Sequence, residues 1–207
     1  MCGLVGILRG LPPEEAVATA TILYDVGFRT LEVPLNSPSP LISIRSIRDA
    51  LPKDCRVGAG TVFRPVQIED VNGAGGEFIV MPHCDPTVIQ ASLLADLEVI
   101  PGVATPSEAF AAYSVGATLL KVFPAADIGA SAMKAWLAVL PDDISLVPVG
   151  GITAANMSAY YAGRVIGFGL GTALYAPSMT RNEIRQRGQD FVAAWQALTG
   201  HFPKDTQ

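Results

Sequence analysis

Eight short apolar segments of strand length punctuate the chain, at residues 4–8, 30–34, 56–60, 77–81, 98–101, 119–123, 144–149 and 165–169. Their starts fall roughly 20 to 26 residues apart, the span of one strand, one helix and two short connections. Several of them (LVGIL, EFIVM, ISLVPV) are apolar on both faces, as parallel strands are when helices cover the sheet on each side. The intervals carry helix punctuation. Prolines and acids at Pro12, Pro13, Glu14 and Glu15 suit a first turn, with Gly27 as a stop. Asp85 before Pro86 reads as an N-cap. Thr105 with Glu108, and Thr180 with Glu183, read as capping boxes, the second opening a last helix whose apolar face holds Ile184, Phe191 and Trp195. Gly116 and Gly163 mark two further helix ends.

Eight alternating units in 207 residues leave two architectures. A doubly wound open sheet normally carries a glycine-rich nucleotide loop after its first strand. Here that strand runs into Ile7-Leu8-Arg9-Gly10-Leu11, which is not such a loop. A compact (β/α)8 barrel, an α/β fold near its lower size limit, is therefore expected. No linker or shift of composition divides residues 1–207, so one domain is expected.

Half of the residues are hydrophobic, 16% are charged, and the mean hydropathy is +0.37. Such a chain has enough apolar surface to offset its conformational entropy, which excludes a disordered one. No run approaches the ~18 apolar residues of a spanning helix, and the first residues lack a signal-peptide pattern. A net charge of -5 without a Lys/Arg cluster argues against a nucleic-acid partner. Cys2, Cys55 and Cys84 form no CxxC pair and read as reduced apolar fillers. A metal centre would need a His/Asp/Glu cluster, and the chain has only His83 and His201, the latter in a polar tail expected to be poorly ordered. No metal is expected. The GxSxG serine elbow is also absent.

Two strand residues stand out. Lys121, in TLLKVFP, shares a strand face with Leu119 and Phe123. Desolvation there would lower its pKa and turn it into a nucleophile. The alternatives are an outward lysine snorkelling between helices, or a structural ion pair. Glu32 interrupts the strand of TLEVPLNSP, where a carboxylate needs a partner or a task. A buried Glu32–Lys121 pair would serve as an ion pair or as a base beside its nucleophile.

Strand ends supply further candidates, because reactive groups of barrel enzymes gather at that end. Arg9 reads as a carboxylate clamp or as a solvated rim arginine. Thr61 follows Gly58-Ala59-Gly60, and Pro82 follows Met81. The last two strands end in glycine-rich turns with Gly150 and Gly151, then Gly169, Gly171 and Thr172. Loops at these positions often hold phosphate through bare N–H groups, although glycine turns alone are weak evidence.

The ordered motifs ILRG (7–10), LEVPLNSP (31–38), VGAGTV (57–62), PG (101–102), LKVFP (120–124), VGGIT (149–153) and GLGT (169–172) together resemble the class I 2-keto-3-deoxy-6-phosphogluconate/6-phosphogalactonate aldolases. The resemblance spans roughly residues 4 to 197. It implies a cytoplasmic, metal-independent (β/α)8 lyase, usually a homotrimer, needing no cofactor and having no nucleic-acid or membrane partner. Lys121 then matches the family's Schiff-base lysine, and Glu32 its proton-shuttling glutamate. Thr61 matches the threonine beside the ketoacid carboxylate, and Pro82 a substrate-lining proline. Gly150, Gly151, Gly169, Gly171 and Thr172 match the phosphate turns, with Thr172 where many relatives carry serine. Many phosphogluconate aldolases have an arginine where this chain has Asn36. With Arg9 left to meet the carboxylate, the pattern is more similar to the phosphogalactonate branch. The expected substrate is a phosphorylated 2-keto-3-deoxy sugar acid, cleaved to pyruvate and glyceraldehyde 3-phosphate. The rival readings are the gluconate epimer, a phosphosugar isomerase or epimerase in which Lys121 is only an electrostatic partner, and a non-catalytic phosphosugar-binding barrel.

Overall fold

The structure, a computed structural model, describes residues 3–200. The expectations for Cys2, His201 and the tail at 201–207 lie outside the described residues. Parallel strands alternate with helices in the order β1 (Gly3–Ile7), α1 (Pro13–Asp25), β2 (Thr30–Pro34), α2 (Pro40–Ala50), β3 (Arg56–Gly60), α3 (Val66–Gly73), β4 (Phe78–Val80), α4 (Pro86–Leu94), β5 (Glu98–Ile100), β6 (Gly102–Val103), α5 (Pro106–Ser114), β7 (Leu119–Val122), α6 (Ala125–Ile128), α7 (Ala130–Leu137), β8 (Ser145–Pro148), α8 (Met157–Tyr160), β9 (Gly167–Leu170) and α9 (Arg181–Thr199). Among the described residues no helix is long and apolar enough to cross a membrane.

Two strands have the expected bounds, and most others differ by a residue or two. The fifth segment differs in kind. It divides at Pro101 into β5 and β6, because proline has no N–H to give to a sheet. The pairing still passes across the break. Ile100 accepts from the Met81 N–H at 3.0 Å on one side, and Pro101 from the Lys121 N–H at 2.9 Å on the other. The last strand starts at Gly167, since Val165 makes only an isolated bridge to Leu146.

Strands β5-β4-β3-β2-β1-β9 form one sheet and β6-β7-β8 a second, all pairs parallel. The sheets meet at both margins, through the chain at Pro101 and through the bridges Leu146↔Val165 and Val149↔Gly169. A large apolar cluster fills the space between strands and helices, with Leu23, Phe28, Ile44, Ile47, Ile89 and Leu120 almost wholly buried. A smaller cluster comes from the strand residues Ile7, Phe78, Val80, Ile100, Leu119 and Val147 together with Val149 just past β8. It draws on both sheets, so they pack against each other across it.

Helix starts follow the sequence signals. Asp85 accepts from the Thr87 N–H at 2.8 Å, and Thr180 with Glu183 forms a complete capping box. At α5, Thr105 accepts from the Glu108 N–H at 3.3 Å, but Glu108 reaches one residue further back, to the Ala104 N–H at 2.8 Å. Cys55 is buried, which pushes its thiol up to about 11, and half-buried Cys84 contacts the Glu108 carbonyl at 3.4 Å. At the N-terminal ends of the strands, Arg48 pairs with Glu77 at 2.9 Å and Arg56 with Glu98 at 2.5 Å. Glu77 also accepts the Val57 N–H at 3.0 Å, so charged groups tie the starts of three successive strands together.

Within α2, Ser43 is fully buried and its hydroxyl has no hydrogen-bond partner among the described residues. A buried, unsatisfied hydroxyl costs about 1–3 kcal/mol of desolvation, and alanine is also the better helix former. Ser43→Ala is expected to stabilise the fold by about 1 kcal/mol, read as a higher urea midpoint at unchanged slope. A lower midpoint would show that the hydroxyl has an energetic role the geometry does not reveal.

Candidate active site

Lys121 stands in the middle of β7 and Glu32 in the middle of β2. The two strands belong to different sheets, and the side chains approach across the inner apolar cluster. Only 1% of Glu32 and 6% of Lys121 is exposed. Both line a cavity of about 10 Å³, the room one water needs. Of the two forms expected for the pair, the ion pair is not formed: among the described residues no hydrogen bond or ion pair joins the two groups. Each instead ends at the shared cavity.

Burial governs both ionisations. Desolvation lowers the Lys121 pKa, against the raising effect of Glu32 and with the help of Arg9. Desolvation likewise raises the Glu32 carboxyl, against the lowering effects of Lys121 and Arg9. An ammonium beside a carboxylate holds as many protons as an amine beside a carboxylic acid. In apolar surroundings without direct contact, both shifts favour the second arrangement. That tautomer contains a free amine and, across one water-sized gap, a proton donor.

Two neighbours hold these groups in place. The Glu32 carboxylate lies on Gly60 of β3, where any Cβ would overlap it. The Phe123 ring centroid lies 4.8 Å from the Lys121 Nζ. Phe123 sits two residues beyond Lys121 on the same strand face but is 40% exposed, so it forms a wall between the interior and the mouth.

Above the cavity opens a pocket of about 640 Å³, which shares Ile7, Lys121, Val149 and Gly169 with it. On one side lies Arg9. Its Nη1 donates to Asn36 Oδ1 at 2.6 Å, and both terminal nitrogens approach Thr61 Oγ1 at 3.3 Å. The Gly10 N–H donates to Ser37 Oγ at 2.9 Å. Asn36 and Ser37 therefore tie the loop after β1 to the loop after β2. Thr61 has φ +58°, a costly conformation for a β-branched residue, and it brings the hydroxyl under the guanidinium.

The opposite wall consists of the turns after β8 and β9. Gly150 and Gly151 have φ of +92° and +76°, and a Cβ at Gly151 would overlap Ala126. Leu174 and Tyr175 both donate to the Gly171 carbonyl, which closes a tight turn. Among the described residues the N–H groups of Gly151, Ile152, Thr172 and Ala173 donate to no other backbone group, and all four residues line the pocket. Unengaged N–H groups of this kind are what an anion site is built from.

Arg9, Thr61, Pro82, Lys121, Gly150, Gly151, Gly169, Gly171 and Thr172 all line this pocket, and Glu32 lies one layer below. Sequence reasoning placed Phe123 beside Lys121 without giving it a role in the site, and it left out Ile152, Ala173, Tyr175, Ala176 and Pro177. The two-residue alternation from Lys121 points to Phe123 but says nothing of its place at the mouth. The others are apolar or aromatic loop residues without any chemical signature. His83 approaches Asp85 at 4.0 Å. Among the described residues no His, Cys, Asp or Glu cluster of metal-binding size occurs.

The family model for KDPG and KHG aldolases matches residues 3–189. The chain belongs to that aldolase family. A protein of Rhizobium meliloti named "Probable 2-dehydro-3-deoxy-6-phosphogalactonate aldolase" is 42% identical over 197 residues, covering 95% of this chain and 93% of its own. The 2-dehydro-3-deoxy-6-phosphogalactonate aldolase of Escherichia coli is 39% identical over 93% of this chain and 94% of its own. Among solved structures, "Native KDPGal structure" superposes with a TM-score of 0.92 at 38% identity, over 96% of each chain.

The shelf beneath Glu32 is open to test in this family member. Gly60→Ala should drive the carboxylate out of its cavity, so that its pKa in a carbon-13 titration falls towards the ordinary carboxylate range. An unchanged titration in the folded variant would mean that Gly60 does not hold Glu32 in place.

Proposed function

We propose that the chain cleaves 2-dehydro-3-deoxy-6-phosphogalactonate to pyruvate and glyceraldehyde 3-phosphate through an imine on Lys121. One observation carries the reading: a desolvated lysine and a desolvated glutamate end at one water-sized cavity beneath a pocket with an arginine on one wall and bare N–H groups on the other. A sugar acid with a carboxylate at one end and a phosphate at the other matches that division. The names of the Rhizobium and Escherichia relatives favour the galactonate epimer.

The Lys121 amine attacks C2 of the substrate, and Glu32 gives and takes the protons as the carbinolamine loses water. The iminium draws electrons towards nitrogen. When Glu32, now a carboxylate, removes the C4 hydroxyl proton, the C3–C4 bond breaks and its electron pair becomes the enamine. Glyceraldehyde 3-phosphate departs. Protonation at C3 and addition of water to C2 then release pyruvate and restore the amine. The imine nitrogen is the electron sink, so these steps call on no organic cofactor. Arg9 and Thr61 orient the carboxylate. Gly150, Gly151, Gly169, Gly171 and Thr172 shape the phosphate end, and Pro82 bounds the sugar.

The same reading closes the two sheets into one eight-unit (β/α)8 barrel, with β5 and β6 together as its fifth strand. The bridges Leu146↔Val165 and Val149↔Gly169 and the bonds across Pro101 support that closure. A cytoplasmic homotrimer formed of single-domain chains completes the proposal and rests on the family resemblance.

Incubation with pyruvate and sodium borohydride, followed by peptide mapping, tests the chemistry. One reduced pyruvyl adduct on Lys121 is expected, with none in Lys121→Ala and turnover of the phosphogalactonate lost. A folded wild-type protein without adduct would remove the imine mechanism. Faster cleavage of the gluconate epimer would overturn the choice of substrate.

Asn36 provides a separate test of the carboxylate wall. Asn36→Ala removes the acceptor that orients Arg9, so KM for pyruvate in the reverse reaction should rise about fivefold, the worth of one such hydrogen bond. An unchanged KM would assign carboxylate binding to other groups.

A further inference from the structure

Behind the turn that follows β9 stands an arginine to which neither sequence motif nor pocket lining assigns a task. Arg187 lies one turn beyond Glu183 on α9, and its Nη1 donates to the carbonyl of Ala173 at 3.1 Å and approaches that of Thr172 at 3.4 Å. It is half-buried and does not line the pocket. We propose that Arg187 is a positioning residue for the phosphate end of the site: it holds the Thr172–Ala173 peptide from behind, so that the Ala173 N–H faces the anion. This inference rests on the phosphate-end assignment made above.

The geometry follows from peptide planarity. In a trans peptide the C=O and the N–H point in opposite directions, so a guanidinium anchored on the Ala173 carbonyl that also reaches the Thr172 carbonyl from behind biases the Ala173 N–H towards the other side. That N–H donates to no other backbone group among the described residues, and Ala173 lines the pocket. The Leu174 N–H, on the next peptide, is occupied by the Gly171 carbonyl at 2.8 Å, which fixes the turn from its other side. A guanidinium behind the turn also adds positive charge within one peptide's thickness of the anion. Its hydrogen bonds cancel the carbonyl ends of the dipoles, which would otherwise oppose that charge.

A carboxylate lies near the arginine on the same helix. Thr180 and Glu183 form the capping box that starts α9, with Glu183 Oε2 accepting from both the Thr180 N–H and its hydroxyl at 2.7 Å. Glu183 also feels the charge of Arg187. The carboxylate at the helix start therefore favours the guanidinium by charge, and the guanidinium in turn bonds the turn behind it. Because the guanidinium never enters the pocket, it leaves room for the substrate and acts only through the peptide it holds.

Equilibrium binding of inorganic phosphate, followed by phosphorus-31 NMR, tests the inference without catalysis. Arg187→Ala should weaken phosphate binding about tenfold, the loss of a charge-assisted contact. KM for the phosphorylated substrate should rise in proportion, while borohydride trapping of pyruvate on Lys121 stays within about twofold of wild type. Arg187→Lys should recover part of the affinity and Arg187→Gln less, since only the first keeps the charge. It also serves as the test if the alanine variant does not fold. Unchanged phosphate binding in Arg187→Ala would overturn the proposal. So would a loss of pyruvate trapping as large as the loss of phosphate binding, which would make Arg187 a general tie between α9 and the sheet. A wild-type protein that binds phosphate but traps no pyruvate would refute the imine mechanism and leave this inference standing.

Discussion

Removal of Lys121 and Glu32 from water is the constraint on which the rest of the structure depends. Each alone would be a costly defect in an apolar interior, and an isolated buried charge costs several kcal/mol even after relaxation. Placed on opposite sheets around one small cavity, each has its ionisation pushed by burial towards the neutral form. The parallel architecture is what makes this arrangement possible. Strands buried on both faces bring two polar residues to one apolar cluster, and Gly60 gives the carboxylate a surface to lie on. Direct contact would have held the pair as an ion pair and the lysine as an ammonium. The gap therefore matters as much as the residues.

Much of this was legible in the sequence because it follows local rules. Strand spacing, paired prolines and acids at helix starts, and the Thr180–Glu183 box each depend on a few neighbouring residues, and the structure reproduces them. Lys121 and Glu32 were visible as polar interruptions of apolar runs. What escaped was relational. The division of the fifth strand depends on what pairs on either side of Pro101, and the Glu108 carboxylate reaches Ala104 through a loop geometry that spacing does not encode. The missing Glu32–Lys121 contact could not be read either, since alternation gives a face and not a distance. Ala173 and Ile152 contribute through backbone N–H groups, which every residue except proline has, so no side-chain pattern marks them.

The mouth is organised by polar groups that touch one another and not by apolar packing. Asn36 and Ser37, consecutive in the chain, engage Arg9 and Gly10, also consecutive. Two adjacent hydrogen bonds therefore set the register between the first two loops. Thr61 adds a third loop at the cost of a left-handed backbone. On the far side, Arg187 acts on the last turn in the same manner, from a helix and not from a neighbouring loop. The loops bearing Arg9 and Thr61 and the last turn are thus each held by a group from a different unit.

The charged ties at the other end of the sheet have a consequence for how such a chain can change. Arg48, Glu77, Arg56 and Glu98 gather where the strands begin, at the opposite end of the strands from Arg9, Thr61 and the glycine turns that line the pocket. Instructions for assembly and instructions for chemistry are written in separate places along each unit. A lineage can therefore exchange residues such as Asn36 or Thr172 and turn to a new sugar without disturbing the contacts that align the strands. The reverse also holds: drift among the lower charges can adapt the protein to a new temperature or salt concentration and leave its choice of substrate untouched.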